Sequence, residues 1–328
     1  MSNTILKMGE KRSFKQMLAS MGNTLSLLIA LIVLGAVWAF MTPYFLTVQN
    51  VMNVLMFAGA MAIRASGLTV AMIMGGLDLS QNANGALVAI LGAMAAASGS
   101  PWWVVLLIVV AGGLILGGIN ATLVTFAKIP AFITTLATMQ IFRGIAWLFS
   151  DKTIMMNDQI LISLGRGRLG EVFPYLAIIA IVILVVTYYV LNFTAFGRKV
   201  YMVGGNQQAS YLSGINSRSV TFIAFVYSGL MGAIAGFLLA CQVGAALPQA
   251  SQGTEMVPIA AVILGGVSLS GGKGKMSGTI LAVVILQIIT NGLQLQGIQQ
   301  YVQWVVTGGV LLLSVFIDVI RSGVLRKQ

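Results

Sequence analysis

The chain is expected to fold as an all-α, polytopic membrane protein of about ten transmembrane helices, with its N- and C-termini on the cytoplasmic side. Three observations lead there. First, 58% of the 328 residues are hydrophobic and 8% are charged. Second, apolar runs of about 20 residues recur along the whole length, each able to cross the hydrocarbon core as a helix that closes its own backbone hydrogen bonds. Third, the basic residues gather in the short stretches between alternate runs, which is how orientation is set in a bilayer.

A soluble core is excluded, and no linker, low-complexity stretch or shift in composition divides 1–328 into separate domains. A net charge of +11 would point to nucleic acid in a soluble protein. Here the cations belong to inter-helix loops, so no nucleic-acid partner is expected. One cysteine and no histidine leave no material for a disulfide, a thiolate zinc site or Ser-His-Asp chemistry. Cys241 reads as a small apolar packing residue.

The first run, 24–41, follows Lys7, Lys11, Arg12 and Lys15 in an N-terminal segment, 1–22. It is longer than a signal-peptide core and no small-x-small cleavage site follows, so it reads as an uncleaved first helix. Further runs occupy 51–75, 83–99, 102–126 and 131–149. A polar stretch with Lys152, Asp158, Arg166, Arg168 and Glu171 precedes the run at 173–192. A second polar stretch, 193–218, precedes 219–241, and the last three runs are 256–270, 277–297 and 301–320. Ten spans place both ends on one side. With the N-terminus inside, thirteen of the 18 Lys and Arg residues are cytoplasmic, three (Lys152, Arg166, Arg168) are external and two (Arg64, Arg143) lie within spans. The 193–218 stretch therefore faces the cytoplasm.

That stretch has the composition of a structured element. Gly204 and Gly205 permit a sharp turn, Asn206 can cap a helix, 207–213 supply two helical turns and Gly214 can close them. The expected result is a short helix along the membrane surface, with Ala209 and Leu212 free to seat in a groove on a soluble protein. A solvated connector is the bland alternative.

Charges within spans are the next signal. Arginine near a helix centre costs about 2.5–3.5 kcal/mol on insertion scales. Arg64 lies about 20 Å from the outer start of its helix at 1.5 Å per residue, too deep to snorkel easily. It either lines a polar path or pairs with backbone exposed at a break such as Ser66-Gly67, and the structural reading is favoured for Arg143. Asp78 is placed to cap the following helix. Gly113 and Gly117, and Ser228, Gly232 and Gly236, form small-xxx-small faces for close helix approach. The stretch 265–275 is glycine-rich but lacks P-loop spacing and reads as a tight re-entry into the next helix. The chain also repeats itself, 71–80 (AMIMGGLDLS) aligning with 261–270 (AVILGGVSLS). Under this topology both copies run inward, which does not by itself make an inverted repeat.

The run 204–215 (GGNQQASYLSGI) resembles the cytoplasmic loop of ribose-type permeases of ABC importers. Four more stretches match that family in order: 75–80 (GGLDLS), 129–136 (IPAFITTL) with Arg143-Gly144, 259–272 (IAAVILGGVSLSGG) and 291–295 (NGLQL). The stretch 134–140 (TTLATMQ) is similar to arabinose members in particular. The resemblance covers roughly 40–320. It implies a bacterial cytoplasmic-membrane permease subunit that imports a monosaccharide. It further implies a cytoplasmic ABC ATPase that holds the ATP and magnesium, a periplasmic or extracellular sugar-binding protein, and a second permease subunit, identical or paralogous. This chain would bind no cofactor and catalyse nothing. The expected coupling residues are Gly205, Asn206, Gln208, Ala209, Leu212, Ser213, Gly214 and Ile215. Polar candidates for the path are Arg64, Ser66, Asn53, Gln140 and Asn291, with Gln294. The chain departs from the family at 81–83, where Val-Gly-Ser is replaced by Gln81, Asn82 and Ala83, and at Arg64, where the family carries an apolar or small residue. An importer of a non-sugar or autoinducer-2-type substrate remains an alternative. So does an ion-coupled secondary transporter, although acids near the spans, Asp78 among them, are scarce and no histidine is present.

Overall fold

The computed structural model describes residues 22–322. The basic N-terminal residues Lys7 to Lys15 and the C-terminal Arg326 and Lys327 lie outside the described residues. Thirteen helices follow in order: α1 Gly22–Met41, α2 Val48–Met74, α3 Gln81–Ala97, α4 Trp102–Thr125, α5 Ala131–Phe149, α6 Gln159–Arg166, α7 Tyr175–Phe193, α8 Ala195–Gly205, α9 Gln207–Leu212, α10 Ser217–Val243, α11 Met256–Leu264, α12 Met276–Leu295 and α13 Gln300–Ser322. Two small two-residue ladders join them: β1 (Ile154–Met155) pairs with β4 (Ala245–Ala246), and β2 (Arg168–Leu169) with β3 (Phe173–Pro174).

Among the described residues, seven helices are long and apolar enough to cross a membrane: α1, α2, α4, α5, α7, α10 and α12. The protein is thus an all-α polytopic membrane protein. Three of the apolar runs take other forms. The run at 83–99 becomes α3, 17 residues long and buried for most of its length. The run at 256–270 forms only the nine-residue α11, about 13 Å at 1.5 Å per residue and less than half the hydrocarbon core. The last run lies in α13, which holds a shorter apolar stretch, Gln300–Leu313.

The centre of the fold is α10, which packs on α4, α2 and α3. Its small residues allow this. A Cβ on Gly117 would touch the Gly229 backbone, and one on Gly85 would strike the Gly232 carbonyl and the Gly236 Cα. Without a hydrophobic drive between helices in lipid, such backbone-to-backbone approach supplies the packing energy. Beside α10, every residue of α2 from Ala62 to Met74 is buried. A helix apolar on all faces belongs inside the bundle. No break occurs at Ser66-Gly67: α2 is continuous, and Gly67 lets Gln81, Met231 and Ser228 come close. By contrast α1, α5 and α13 expose Phe40, Leu148 and Val305, side chains suited to lipid.

Polar residues stitch the buried turn between α2 and α3. Asp78 accepts from Ser80 N at 3.0 Å, Ser80 Oγ at 2.6 Å and Ser228 Oγ at 2.6 Å. Ser80 Oγ accepts in turn from Asn120 Nδ2 at 2.7 Å, and Asn120 Oδ1 accepts from Thr138 at 2.7 Å. The carboxylate therefore braces the turn ahead of α3; it does not reach the helix's own first N–H groups. Gln81 and Asn82, the departures from the family pattern, are also structural. Gln81 donates to Ser228 O and Oγ, and Asn82 donates to Ser251 O and Thr254 Oγ1.

Candidate functional site

The sequence repeat has a structural counterpart. α2 and α11 end at equivalent positions, Met74 and Leu264. After α2, Gly75 N donates to Met72 O and Gly76 N to Ala71 O; after α11, Gly266 N donates to Ile263 O and Val267 N to Val262 O. Each end contains a left-handed glycine, Gly75 (φ 98°) and Gly266 (φ 89°). These satisfy the last carbonyls of each helix in the way of a glycine C-cap. The loop that follows α11 reaches back to the end of α2, where Gly272 N donates to Ile73 O at 2.7 Å.

The C-terminus of α8 joins them. Thr194 starts α8 by accepting from Gly197 N, and the helix runs through Gly204 and Gly205 to Asn206. The sharp turn expected at the two glycines is therefore displaced to Asn206. Glycine at 204 is needed for contact instead of turning: a Cβ there would fall on the Ile73 carbonyl oxygen. A Cβ on Gly271 would come 2.8 Å from Gly204 O and 2.9 Å from Gly75 Cα. Tyr201, whose pKa is raised by burial, donates its hydroxyl to Gly274 O at 3.0 Å. Three segments, 73–76, 204–205 and 271–274, are thus in backbone contact.

One residue further on, α9 projects outward. Asn206 Oδ1 accepts from Ala209 N at 2.9 Å, capping the helix. Ser213 N returns to Ala209 O, and Gly214 adopts φ 77° to close it. Gln208, Ala209 and Ser213 are exposed, as are Tyr211 at 73% and Leu212 at 79%. Ile215 is half-buried and packs on the main core, and Ser210 turns inward. A groove lined by Gln207, Tyr211, Ile215 and Arg218 flanks the helix. The predicted coupling residues Gly205, Asn206, Gln208, Ala209, Leu212, Ser213, Gly214 and Ile215 therefore form one short helix with its two ends. Its exposed surface mixes Gln207, Gln208 and Ala209 with the larger Tyr211 and Leu212.

The second region is a cavity of about 370 Å³ between α2, α11, α12 and α13. Arg64, 8% exposed, lines it with Gln287, Thr290, Gln294, Gln300, Gln303, Trp304 and Thr307. Of the predicted path residues, only Arg64 and Gln294 are here. Ser66 donates to Ile63 O within its own helix, and Asn53 accepts from Arg168 at 3.0 Å. Gln140 is exposed on α5. Asn291 forms a reciprocal amide pair with Asn50, both bonds 2.9 Å. This pair joins α2 to α12, so Asn291→Ala should leave a buried Asn50 amide half-satisfied, at a cost of about 1–3 kcal/mol. The expected reading is a lower melting temperature in detergent with uptake per assembled complex unchanged.

Sequence reasoning missed Gln287, Thr290, Gln300, Gln303 and Thr307, although a signal was present. Gln287, Thr290 and Gln294 are spaced i, i+3, i+7, as are Gln300, Gln303 and Thr307, which puts one polar stripe on each of two neighbouring helices. Arg143 plays a different part. It donates to Pro248 O at 2.6 Å and Ala250 O at 2.8 Å and pairs with Glu255 at 3.6 Å, fixing the irregular segment before α11.

Residues 50–315 match the family model described as the branched-chain amino acid transport system permease component. The ribose import permease RbsC of Haemophilus influenzae is 36% identical over 298 residues, 88% of this chain and 91% of that protein. That of Bacillus subtilis is 35% identical over 293 residues, 88% and 91% of the two chains. The L-arabinose permease AraH of Escherichia coli is 39% identical over 201 residues, 61% of each. No solved structure matches. A family match across most of the chain, with the two ribose permeases aligned over 91% of their length, establishes that the chain belongs to the branched-chain amino acid transport system permease component family.

Proposed function

We propose that the chain is the membrane-spanning permease subunit of an ATP-binding-cassette importer that carries a monosaccharide into the cytoplasm. The observation that carries this reading is the capped, exposed α9, rooted one residue away in the backbone junction with the ends of α2 and the α11–α12 loop. The names of its relatives, ribose and L-arabinose permeases, supply the substrate class. In this reading the protein is not an enzyme. A cytoplasmic ATPase binds ATP and magnesium and docks on Gly205 to Ile215, and an external sugar-binding protein delivers the substrate. A second permease subunit, identical or paralogous, completes the path within the lipid of a bacterial cytoplasmic membrane. The chain acts as one membrane domain. Its ten apolar segments, α11 entering only part-way, alternate in direction and leave both termini in the cytoplasm.

The test is uptake of labelled monosaccharides into proteoliposomes holding the permease, its ATPase and its binding protein. Uptake that requires internal ATP supports the proposal. Uptake driven by a proton or sodium gradient without the ATPase would favour a secondary transporter. A non-sugar moved in an ATP-dependent way would keep the mechanism and change the cargo. Topology has its own check. Reporters within 198–216 and after Lys327 should read cytoplasmic and one within 152–170 external; an external signal from 198–216 reverses the orientation.

A further inference from the structure

We propose that the cargo is an acidic monosaccharide, a sugar bearing one carboxylate, and that Arg64 is the group that receives it. The inference rests on the importer reading above and narrows its substrate class. Arg64 sits in a continuous stretch of buried α2, 92% shielded from solvent. Its recorded hydrogen bond is Nη2 to Ser251 Oγ at 3.1 Å, and its Nε donates to nothing among the described residues. Among the described residues, no carboxylate lies within 4 Å of it. Glu255, an acid whose field reaches it, is paired with Arg143, and Asp78 is saturated by Ser80 and Ser228.

A buried guanidinium left this way keeps most of its desolvation penalty, which an ion pair would offset. The cavity it lines can hold the missing partner. Its volume is about 370 Å³, and its other polar walls are neutral amides and hydroxyls, among them Gln287, Thr290, Gln294 and Gln303, with the Trp304 ring beside them. Amides and hydroxyls match the hydroxyls of a sugar ring, and the indole offers an apolar face for its C–H side. The guanidinium fork matches a carboxylate in shape and charge. Among the described residues that line the cavity Arg64 alone is charged, so the wall carries one positive charge. A monoanion neutralises it, whereas a dianionic sugar phosphate leaves it overcharged.

The test uses the reconstituted complex of permease, ATPase and binding protein. Labelled D-glucuronate and D-gluconate are compared with D-ribose, L-arabinose, D-glucose and D-glucose 6-phosphate, in the wild type and in Arg64→Gln and Arg64→Lys. The expected result is ATP-dependent uptake of an acid by the wild type, with the acid-to-neutral ratio falling about tenfold or more in Arg64→Gln and recovering in part in Arg64→Lys. The binding protein is the same in each case, so a shift in that ratio reports the permease. Because the wild-type panel decides on its own, a variant that fails to assemble does not stall the test. Uptake confined to neutral sugars or to the phosphate, or equal loss of acid and neutral uptake in Arg64→Gln, overturns the inference while leaving the importer reading intact. Transport of no carbohydrate of either kind counts against the importer reading itself.

Discussion

Gly204→Ala is expected to cripple the protein, and Gly205→Ala, one residue later, to be nearly silent. A Cβ on Gly204 would fall on the Ile73 carbonyl oxygen and crowd Gly272 N, both backbone atoms that cannot rotate away. The same addition on Gly205 meets nothing within 4 Å. Relieving the clash requires α8 to separate from the end of α2, which breaks the bond from Gly272 N to Ile73 O or moves both helices. Overpacking of this kind costs about 1–3 kcal/mol. The functional loss should exceed the loss of stability, because the displaced point is where α9 joins the interior. ATP-driven uptake and the melting temperature of purified protein measure the two effects. If Gly204→Ala and Gly205→Ala behave alike in both, the junction does not transmit force.

Ala209→Asp is expected to give a stable, membrane-inserted protein that neither retains nor stimulates its ATPase and moves no substrate. Ala209 is the third residue of α9, with its N–H bonded to the Asn206 cap and its side chain exposed. An acid in the first turn of a helix is favourable to the helix itself. Loss of uptake therefore cannot be ascribed to melting of α9. It would come from desolvating a new charge against the partner, beside Tyr211 and Leu212. Ala209→Trp should produce the same loss by bulk. Retention of the ATPase and normal uptake in both variants would remove residue 209 from the contact, and silence across the whole 205–215 segment would move the secondary-transporter reading ahead.

The elements legible in the sequence were those set by local chemistry. The cap at Asn206 and the stop at Gly214 follow from residue type and spacing, and the structure places them where the pattern does. The small faces on α4 and α10 were readable for the same reason. The path was harder, because polarity alone does not separate a residue that faces a cavity from one that meets a partner. Asn53 and Asn291 are polar, but each is matched to Arg168 or Asn50 by a contact that no local window contains, while Ser66 turns its hydroxyl to Ile63 O within its own helix. The helical form of α8 was hidden because two glycines in a row signal a turn. Here tertiary contact with Ile73 and Gly272 requires the first of them, Gly204, instead. Membership of a transporter family was carried by five short motifs in order, none of them specific alone.

The nine-residue α11 imposes an order on how the chain is built. A segment this short cannot lodge in the bilayer as an independent span, and the irregular stretch before it exposes carbonyls that lipid cannot satisfy. Two of those carbonyls, Pro248 O and Ala250 O, are met by Arg143, which stands six residues, about 9 Å, from the end of α5. The arginine that is costly to insert and the backbone that is costly to bury each cancel the other's debt. α5 is synthesised before residues 248–255, so Arg143 has none of its partners Pro248 O, Ala250 O and Glu255 until that later segment is made. The packing of α11 is completed late as well, because, of the helices it lies against, only α2 is made before it and α12 and α13 follow. A chain stalled before residue 248 would lack all three of these partners and hold an unpaired cation inside its own membrane domain.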